Sequence, residues 1–194
     1  MERMKLGFAM TGSFCTFEAN LALMGELAGM YELVPILSFN AAGLDTRFGR
    51  AEHFVSRIEE ICGRSVIRTI QDAEPVGPAH MTDLMLVSPC TGNTLAKLAN
   101  SITDTPVTMA VKSHLRNSRP VVIAVSTNDA LSGCAKNIGI LANLRNYYFV
   151  PMRQDNHEKK PTSLVADFSR APEALQAAVE GRQLEPLLLS PFCT

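Results

Sequence analysis

The sequence predicts an α/β protein with a doubly wound, mostly parallel sheet, in the manner of a Rossmann-like or flavodoxin-like three-layer sandwich. Short apolar runs suited to buried parallel strands alternate with stretches in which apolar residues recur at helical spacing. Such alternation implies right-handed crossovers between parallel strands. The chain has 194 residues, of which 46% are hydrophobic, so we expect residues 1–194 to form a single domain.

The first part of the chain repeats a strand, a small polar loop and an amphipathic helix. Apolar runs predict strands at Lys5 to Met10, at Leu33 to Leu37 and, more briefly, at Val66 to Ile70. One helix is expected after each of the first two strands, since apolar side chains recur there every three or four residues. Those side chains are Phe17, Leu21, Met24, Leu27 and Ala28, then Phe48, Phe54, Ile58 and Ile61. The Pro- and Gly-rich stretch Glu74–Pro78 favours a loop over a regular helix.

The second part of the chain continues the alternation. Leu84 to Val87 predicts a buried strand that Pro89 stops, and a helix begins at Gly92. The remaining expected elements are a helix at Val107 to Leu115, a strand at Val121 to Val125, a helix from about Ser132 to Leu144 and a strand at Tyr147 to Val150. Beyond Pro151 the chain turns polar. We expect residues 151–194 to be a peripheral extension with one short helix near Pro172 to Glu180.

The composition excludes several classes of function. Eighteen Lys and Arg against 19 Asp and Glu give a net charge of −1, so no sequence-wide field recruits nucleic acid or an anionic membrane. No apolar stretch reaches the roughly 18 residues of a membrane span, and we expect a cytoplasmic protein. The cysteines are odd in number and lack Cys-x-x-Cys pairing, which predicts reduced thiols and no metal site. They are Cys15, Cys62, Cys90, Cys134 and Cys193.

Ligands of doubly wound sheets bind at the carboxyl ends of the strands, where this sequence places four small polar loops. These are Thr11 to Phe14, Ser38 to Ala41, Ser88 to Thr94 and Ser126 to Asp129. Each is rich in hydroxyl, amide or glycine residues, which can bind a phosphate even when the loop supplies no Lys or Arg. The same residue types also form ordinary turns, and that alternative stays open for each loop.

Familiar nucleotide and hydrolase motifs are missing from these loops. Thr11-Gly12-Ser13-Phe14-Cys15-Thr16 carries one glycine where the dinucleotide fingerprint needs three, so we do not expect this chain to bind NAD. The sequence also lacks a Gly-Lys-Ser/Thr P-loop and a Gly-x-Ser-x-Gly nucleophile elbow. Nucleotide hydrolysis and ester hydrolysis therefore lose their best sequence markers.

The third loop carries a motif of a known superfamily. Pro89-Cys90-Thr91-Gly92-Asn93-Thr94 resembles the Pro-Ala-Ser-Ala-Asn-Thr signature of the flavin-containing cysteine decarboxylases, and the resemblance spans roughly residues 5–150. It implies FMN at the strand ends between subunits, with its phosphate near the first Gly-Ser loop, in a trimer or a multiple of trimers. Together with the polar loops, it yields candidate cofactor-binding residues. These are Thr11, Gly12, Ser13, Ser38, Pro89, Thr91, Gly92, Asn93, Thr94, Ser126, Thr127 and Asn128.

The chain departs from the decarboxylases where their chemistry resides. Val125-Ser126-Thr127-Asn128 lacks the proline and methionine of their Pro-x-Met-Asn motif, and the chain has no tryptophan. Their upstream histidine is replaced by Pro75-Val76-Gly77-Pro78, with only His80 close by. The acid/base apparatus for decarboxylation is therefore missing. Asn128, which matches the asparagine of that motif, is the one candidate catalytic residue.

Further segments resemble one branch of the superfamily, the family of dipicolinate synthase B subunits from spore-forming bacteria. They are Asp72–Pro78, Lys112–Asn117, Ser126–Leu131 and Asn146–Pro151, followed by Gln154-Asp155 and Lys159-Lys160-Pro161. The resemblance implies a flavoprotein-like subunit in the mother-cell cytoplasm. It would act with an NAD(P)-dependent A subunit to oxidise dihydrodipicolinate to dipicolinate in sporulation. Two alternatives stay open: a non-catalytic scaffold with a vestigial flavin or phosphate pocket, and a free-standing FMN-dependent decarboxylase.

Several other side chains carry chemistry and allow two interpretations each. Cys15 and Cys134 open helices after ligand-side loops, where a helix dipole can lower a thiol pKa, but buried and inert cysteines are commoner at apolar positions. His80 could serve as an acid or base, or lie at the surface. A group of basic residues could bind a dicarboxylate, or could simply form the solvated end of a helix. Its residues are Lys112, His114, Arg116 and Arg119.

Overall fold

The computed structural model describes residues 3–190, whose strands form one mixed, mostly parallel sheet with helices on both faces. The strands are β1 (Lys5–Met10), β2 (Glu32–Leu37), β3 (Leu84–Cys90), β4 (Val121–Thr127), β5 (Tyr147–Phe149), β6 (Met152–Arg153) and β7 (Leu164–Ala166). The helices are α1 (Phe17–Ala28), α2 (Phe39–Gly43), α3 (Ala51–Cys62), α4 (Ile70–Ala73), α5 (Gly92–Ala99), α6 (Pro106–Leu115), α7 (Ala135–Asn143) and α8 (Ala171–Val179). Cys193 lies outside the described residues.

The strand order confirms the predicted α/β fold. β2, β1, β3 and β4 lie side by side and run parallel, and β5 adds a further parallel pairing to β4. β7 pairs with β4 in the antiparallel sense, and β6 pairs with β7 in the same sense. The parallel strands all end at one edge of the sheet, so their following loops meet there.

Each central strand buries side chains on both faces of the sheet. In β1, Leu6, Phe8 and Met10 belong to one apolar cluster, and Ala9 belongs to the cluster on the opposite face. Helices α1, α3 and α8 cover the first face, while α5, α6 and α7 cover the second. Burial on both faces explains why these strands read as continuous apolar runs instead of alternating ones.

The expected strand at Val66 to Ile70 is wrong. One isolated bridge joins Ile67 to Ile36, and helix α4 begins at Ile70. The hydroxyl oxygen of Thr69 accepts a hydrogen bond from the Asp72 backbone N–H at 3.1 Å and caps that helix. The apolar pattern at Val66 and Ile67 reflects burial, because each is only 8% exposed. The stretch that follows forms a 3-10 turn at Glu74–Val76, not a regular helix, as predicted.

Strand β3 does not stop at Pro89, as we expected, but continues to Cys90. Its pairing with β4 shifts between Val87 and Cys90, where three steps along β3 match two along β4. Proline is compatible with such an irregularity because it has no N–H to donate to a neighbouring strand. The bulge turns the Pro89 carbonyl oxygen toward the loop after β1, where it accepts a hydrogen bond from the Thr11 hydroxyl at 2.8 Å.

The segment beyond Pro151 is not peripheral, contrary to our expectation. β7 extends the sheet beside the end of β4, with Val165 opposite Ser126 and Leu164 opposite Thr127. Helix α8, which confirms the helix predicted near residue 172, packs Leu175 into the core with no solvent exposure. Strands β6 and β7 with the loop between them, residues 152–166, are called the C-terminal hairpin below. They bring this part of the chain to the ligand edge of the sheet.

Candidate functional site

Hydrogen bonds tie the loops at the carboxyl ends of the parallel strands to one another. The backbone N–H of Thr91 donates to the Thr11 hydroxyl oxygen at 3.0 Å. The hydroxyls of Ser13 and Ser126 lie 2.8 Å apart and share one hydrogen bond. The backbone N–H of Ser38 donates to the Met10 carbonyl at 3.0 Å. The structure thus brings together the four loops on which the sequence placed a ligand site.

Two neighbouring pockets open between these loops. The hairpin pocket, about 250 Å³, lies between the loops after β1 and β4 and the C-terminal hairpin. The amide pocket, about 420 Å³, lies between the loops after β1 and β3 and the starts of α2 and α6. Gly12 and Thr91 line both pockets, so the two spaces adjoin.

Most of the predicted site residues line one of the two pockets. Ser13, Ser126, Thr127 and Asn128 line the hairpin pocket with Gly12 and Thr91. Thr11, Ser38, Asn93 and Thr94 line the amide pocket with the same two shared residues. Pro89 and Gly92 line neither pocket. Pro89 instead accepts a hydrogen bond from Thr11, and Gly92 begins helix α5.

The loop after β3 is held by its own hydroxyls. The Thr94 backbone N–H donates to the Thr91 hydroxyl oxygen at 3.4 Å, which caps helix α5. A side chain at Gly92 would meet its neighbours from the β4 loop, since an added Cβ would lie 2.7 Å from Asp129 Oδ1 and 2.8 Å from Thr127 Oγ1. A Cβ at position 92 would therefore require the Thr127 and Asp129 side chains to shift.

Asn128, the candidate catalytic residue, lies exposed on the wall of the hairpin pocket. Its carbonyl oxygen accepts a hydrogen bond from the Thr162 hydroxyl at 2.7 Å, and its side-chain Oδ1 lies 3.5 Å from the Ser163 hydroxyl. The backbone N–H of Leu131 donates to the Thr162 carbonyl at 2.9 Å. The C-terminal hairpin thereby fixes the loop that carries Asn128.

The hairpin also contributes pocket residues that the sequence analysis missed. Asp155, Lys160 and Ser163 line the hairpin pocket, and Lys160 Nζ lies 3.0 Å from Asp155 Oδ2. The segments Gln154-Asp155 and Lys159-Lys160-Pro161 belonged to the family resemblance, so a signal was present. Their polar composition pointed to a solvated surface instead.

A second ion pair lies at the amide pocket. Lys97 Nζ lies 2.7 Å from Asp104 Oδ1. The hydrogen bond from Lys97 lowers the pKa of the Asp104 carboxyl below its ordinary value. Each pocket thus combines hydroxyl and amide donors with one lysine and one aspartate, so each is close to neutral overall.

The cysteines at the two ligand-side loops differ. Cys134 is 2% exposed, and burial raises the pKa of its thiol, which contradicts a reactive role. Cys90 is fully buried, and burial raises its thiol pKa further. Cys15 is exposed and lines the hairpin pocket, with its Sγ 3.9 Å from the Ser13 hydroxyl. His80 is also exposed but lines neither pocket, which favours its surface interpretation.

The expected basic patch is not one surface. His114 is fully buried between the Thr82 hydroxyl and the Pro120 carbonyl, at 2.8 and 3.0 Å. Burial lowers the pKa of His114 to about 4, so the ring is neutral at pH 7. Arg119 pairs with Asp83 at 3.1 Å. The remaining members, Lys112 and Arg116, lie exposed beside a separate cavity of about 410 Å³ that does not touch the four loops.

The described part of the chain contains neither a helix suited to cross a membrane nor a cluster suited to hold a metal ion. Between residues 3 and 190, no helix combines the length and the apolar character that crossing a membrane requires. Across the same residues, no group of three or more His, Cys, Asp or Glu side chains is arranged to hold a metal ion.

Comparison with known proteins points to one family. A family model described as Flavoprotein matches residues 1–167. The chain is 41% identical over 189 residues to the dipicolinate synthase B subunit of Bacillus subtilis (strain 168), covering 97% of this chain and 94% of the other. It superposes on the crystal structure of the dipicolinate synthase B subunit from Bacillus halodurans C with a TM-score of 0.90 and 38% identity, covering 98% of both chains.

A more distant solved structure shares the fold. It is a dodecameric FMN-dependent UbiX-like decarboxylase from Escherichia coli O157:H7, with a TM-score of 0.59 and 23% identity. The match covers 76% of this chain and 80% of the other.

Proposed function

Because this chain belongs to the flavoprotein family, we propose that it is the FMN-binding B subunit of a dipicolinate synthase. In this role it acts with an NAD(P)-dependent A subunit to oxidise dihydrodipicolinate to dipicolinate during sporulation. The observation that carries the proposal is the similarity, over nearly the full length, to two dipicolinate synthase B subunits. The missing dinucleotide fingerprint in the loop after β1 supports a division of labour in which the partner holds NAD(P).

The donor set at the strand ends fits FMN. The described residues provide no hydrogen-bond partner for the Gly12 backbone N–H, which lies where both pockets meet. An added Cβ at Gly12 would make only ordinary contacts, 3.5 Å from the Phe14 ring and 3.6 Å from Asn40 Cβ, and would meet no backbone atom. Two adjoining pockets of about 250 and 420 Å³ suit a ligand with an anionic end and a flat heteroaromatic end.

Different loops would hold different parts of the cofactor. Gly12, Ser13 and Ser38 would hold the phosphate with backbone N–H and hydroxyl donors, while the Thr91 to Thr94 loop would hold the ring. Asn93 is exposed at the amide pocket, and its amide can both donate to and accept from a ring edge. Bound FMN supplies two-electron redox chemistry at this edge of the sheet.

The side chains of the two pockets bind and orient more than they move protons. No histidine lines either pocket within residues 3–190, and Lys97 and Lys160 are each paired with an aspartate. The lack of a histidine at these pockets in residues 3–190 and the pairing of both lysines disfavour a free-standing decarboxylase. It leaves the non-catalytic scaffold as the second candidate function, in which the chain stabilises the A subunit and its pocket takes only phosphate.

We also propose that the chain forms a homo-oligomer, a trimer or a multiple of trimers. A solved structure with the same fold is a dodecamer. Three large apolar side chains lie exposed between the start of α2 and the start of α3, and one of them, Phe39, lines the amide pocket, which supports burial of this region against another copy. Phe39 is 49% exposed, Leu44 49% and Phe48 44%.

Reconstitution tests the proposed function. The purified chain mixed with FMN should shift the flavin absorbance and quench its fluorescence, and the A subunit with NAD(P) should form dipicolinate faster when this chain is added. If FMN shows neither change, the cofactor assignment is wrong and the non-catalytic scaffold becomes the favoured function. If the A subunit is equally fast alone, the chain is not a functional part of the synthase.

A further inference from the structure

Lys160 is the only cationic side chain that lines the hairpin pocket within the described residues. It comes from the C-terminal hairpin, whereas the hydroxyls of the pocket come largely from the loops after β1 and β4. Asp155, from the same hairpin, is the only acidic side chain lining this pocket in that part of the chain. The charge at this end of the site is therefore set by one pair.

The ion pair between Lys160 and Asp155 is open to exchange. Nζ and Oδ2 lie 3.0 Å apart, and the two side chains are 54% and 30% exposed. Exposed pairs of this kind are weak, and the flexible four-carbon stem of lysine lets the ammonium group change partner. At the amide pocket the exposures are reversed, since Lys97 is 20% exposed and its partner Asp104, 2.7 Å away, is 57% exposed, so the Lys160 ammonium group is the more accessible of the two.

The backbone around Lys160 is fixed although its ammonium group is not. The Lys160 backbone N–H donates to the Asn156 carbonyl at 2.9 Å, and the Lys159 backbone N–H donates to Asn156 Oδ1 at 2.8 Å. Thr162 then binds the Asn128 carbonyl, and β7 pairs with β4. The ammonium group thus approaches the pocket from an anchored turn.

The wall formed by the β1 and β4 loops carries donors for an anion. Ser13 and Ser126 share a single hydrogen bond at 2.8 Å, and one of the two hydroxyl hydrogens is not used in it. A hydroxyl hydrogen and an ammonium group within one pocket of about 250 Å³ match the oxygens of a carboxylate or a phosphate group.

We propose that Lys160 is the cation of an anion-binding site in the hairpin pocket, which takes a carboxylate of a small dicarboxylate or the phosphate of FMN. The identity of the two ligands rests on the proposed function. When the anion enters, the Lys160 ammonium group turns from Asp155 to the ligand, and Ser13 or Ser126 donates a hydrogen bond to it.

Binding calorimetry with three probes tests the site. Dipicolinate supplies the carboxylate, FMN the phosphate, and riboflavin the same ring without phosphate. Lys160→Gln should weaken the binding of dipicolinate, or of FMN but not riboflavin, about tenfold or more, as expected for the loss of a charge-assisted hydrogen bond. Lys159→Gln removes a neighbouring exposed charge and should change each affinity less than twofold.

Asp155→Asn gives a change of opposite sign. It releases the Lys160 ammonium group from its partner, so the anion should bind more tightly than to the wild type. Thermal melting of each variant shows whether the chain still folds. A decrease in anion affinity in a folded Asp155→Asn protein would contradict the proposal.

The probes separate the two sources of the anion and the two proposals. A loss confined to dipicolinate identifies a carboxylate site, and a loss confined to FMN identifies a phosphate site. Unchanged affinities in Lys160→Gln, or a loss produced by Lys97→Gln instead, overturn the role of Lys160. If the wild type binds neither ligand, the proposed function fails. Inorganic phosphate then reports on the site alone, and the site is wrong unless phosphate binds and Lys160→Gln abolishes that binding.

Discussion

At the scale of single residues, Gly12 lies where the two pockets meet. An added Cβ there would lie 3.5 Å from the Phe14 ring and 3.6 Å from Asn40 Cβ, both ordinary contact distances. A Cβ at this position therefore meets no backbone atom, and on the proposed function a larger side chain would compete with the ligand. On the proposed function, glycine at this position leaves room for the ligand.

Gly12→Val should fold and fail to bind FMN. We expect a change in the free energy of unfolding of less than about 1 kcal/mol, since no buried group is displaced. Flavin fluorescence titration should show at least a tenfold loss of affinity. Gly25→Val, on the exposed face of α1 with nothing within 4 Å of the added Cβ, is the matched control. Equal FMN binding by both variants would contradict the site.

His114 makes the stability of the protein depend on pH. Burial lowers its pKa from 6.5 to about 4 in the folded state, so below pH 6.5 the unfolded chain takes up a proton that the folded chain does not. The resulting loss of folding stability is absent above pH 6.5 and grows as the pH falls. It amounts to roughly 3 kcal/mol at pH 4.

Urea unfolding of the wild type and His114→Asn at pH 7 and pH 4 checks this expectation. The wild type should lose more stability between the two pH values than the variant, because only the wild type carries the buried imidazole. His80→Asn, which alters an exposed ring, should retain the wild-type dependence. Identical dependence in His114→Asn would show that other groups are responsible.

At the scale of elements, the sequence predicts the helices and strands whose apolar pattern spans enough residues to show a period. The apolar runs at β1, β2 and β4 and the helical spacing of α1 and α3 locate the parallel part of the sheet. Strands β6 and β7 have two and three residues, too few for a period. Their pairing depends on β4, a partner distant in sequence.

The same distinction applies to the candidate site. The hydroxyl and amide residues of four loops follow directly from where parallel strands end, so Ser13, Ser38 and Asn93 could be located from the sequence. Lys160 and Asp155 could not, because their place depends on the antiparallel return of the chain after Pro151. The pairing of β7 with the distant strand β4, and not a local sequence pattern, determines where the chain returns.

Leu164→Ala tests how firmly the C-terminal hairpin is attached. Leu164 is 5% exposed in the core, and its truncation should cost about 2–4 kcal/mol of unfolding free energy. Hydrogen exchange should rise first in residues 152–166. Leu131→Ala removes a side chain that is 49% exposed and should change the stability by less than about 0.5 kcal/mol. Equal effects of the two substitutions would contradict the packing described.

At the scale of the whole molecule, the exposed apolar side chains Phe39, Leu44 and Phe48 make the proposed self-association testable. Sedimentation at micromolar concentration should give a mass well above the 21.1 kDa of one chain. Phe48→Asp should lower that mass because it places a charge in the contact, whereas Leu188→Asp, at a site 65% exposed outside the pockets, should not. A wild-type mass of 21.1 kDa would rule out the oligomer.

The side chains of Thr127 and Asp129 occupy the space that a Cβ at position 92 would take, which favours glycine there. The related signature has alanine where this chain has Gly92, and an alanine Cβ would lie 2.7 Å from Asp129 Oδ1. An alanine at position 92 would therefore displace the Thr127 and Asp129 side chains, whose mutual hydrogen bond is 2.5 Å long. Family members with the same β4 loop should therefore also have glycine at position 92. Glycine at position 92 together with this β4 loop then identifies this branch of the family in an alignment, independently of any catalytic residue.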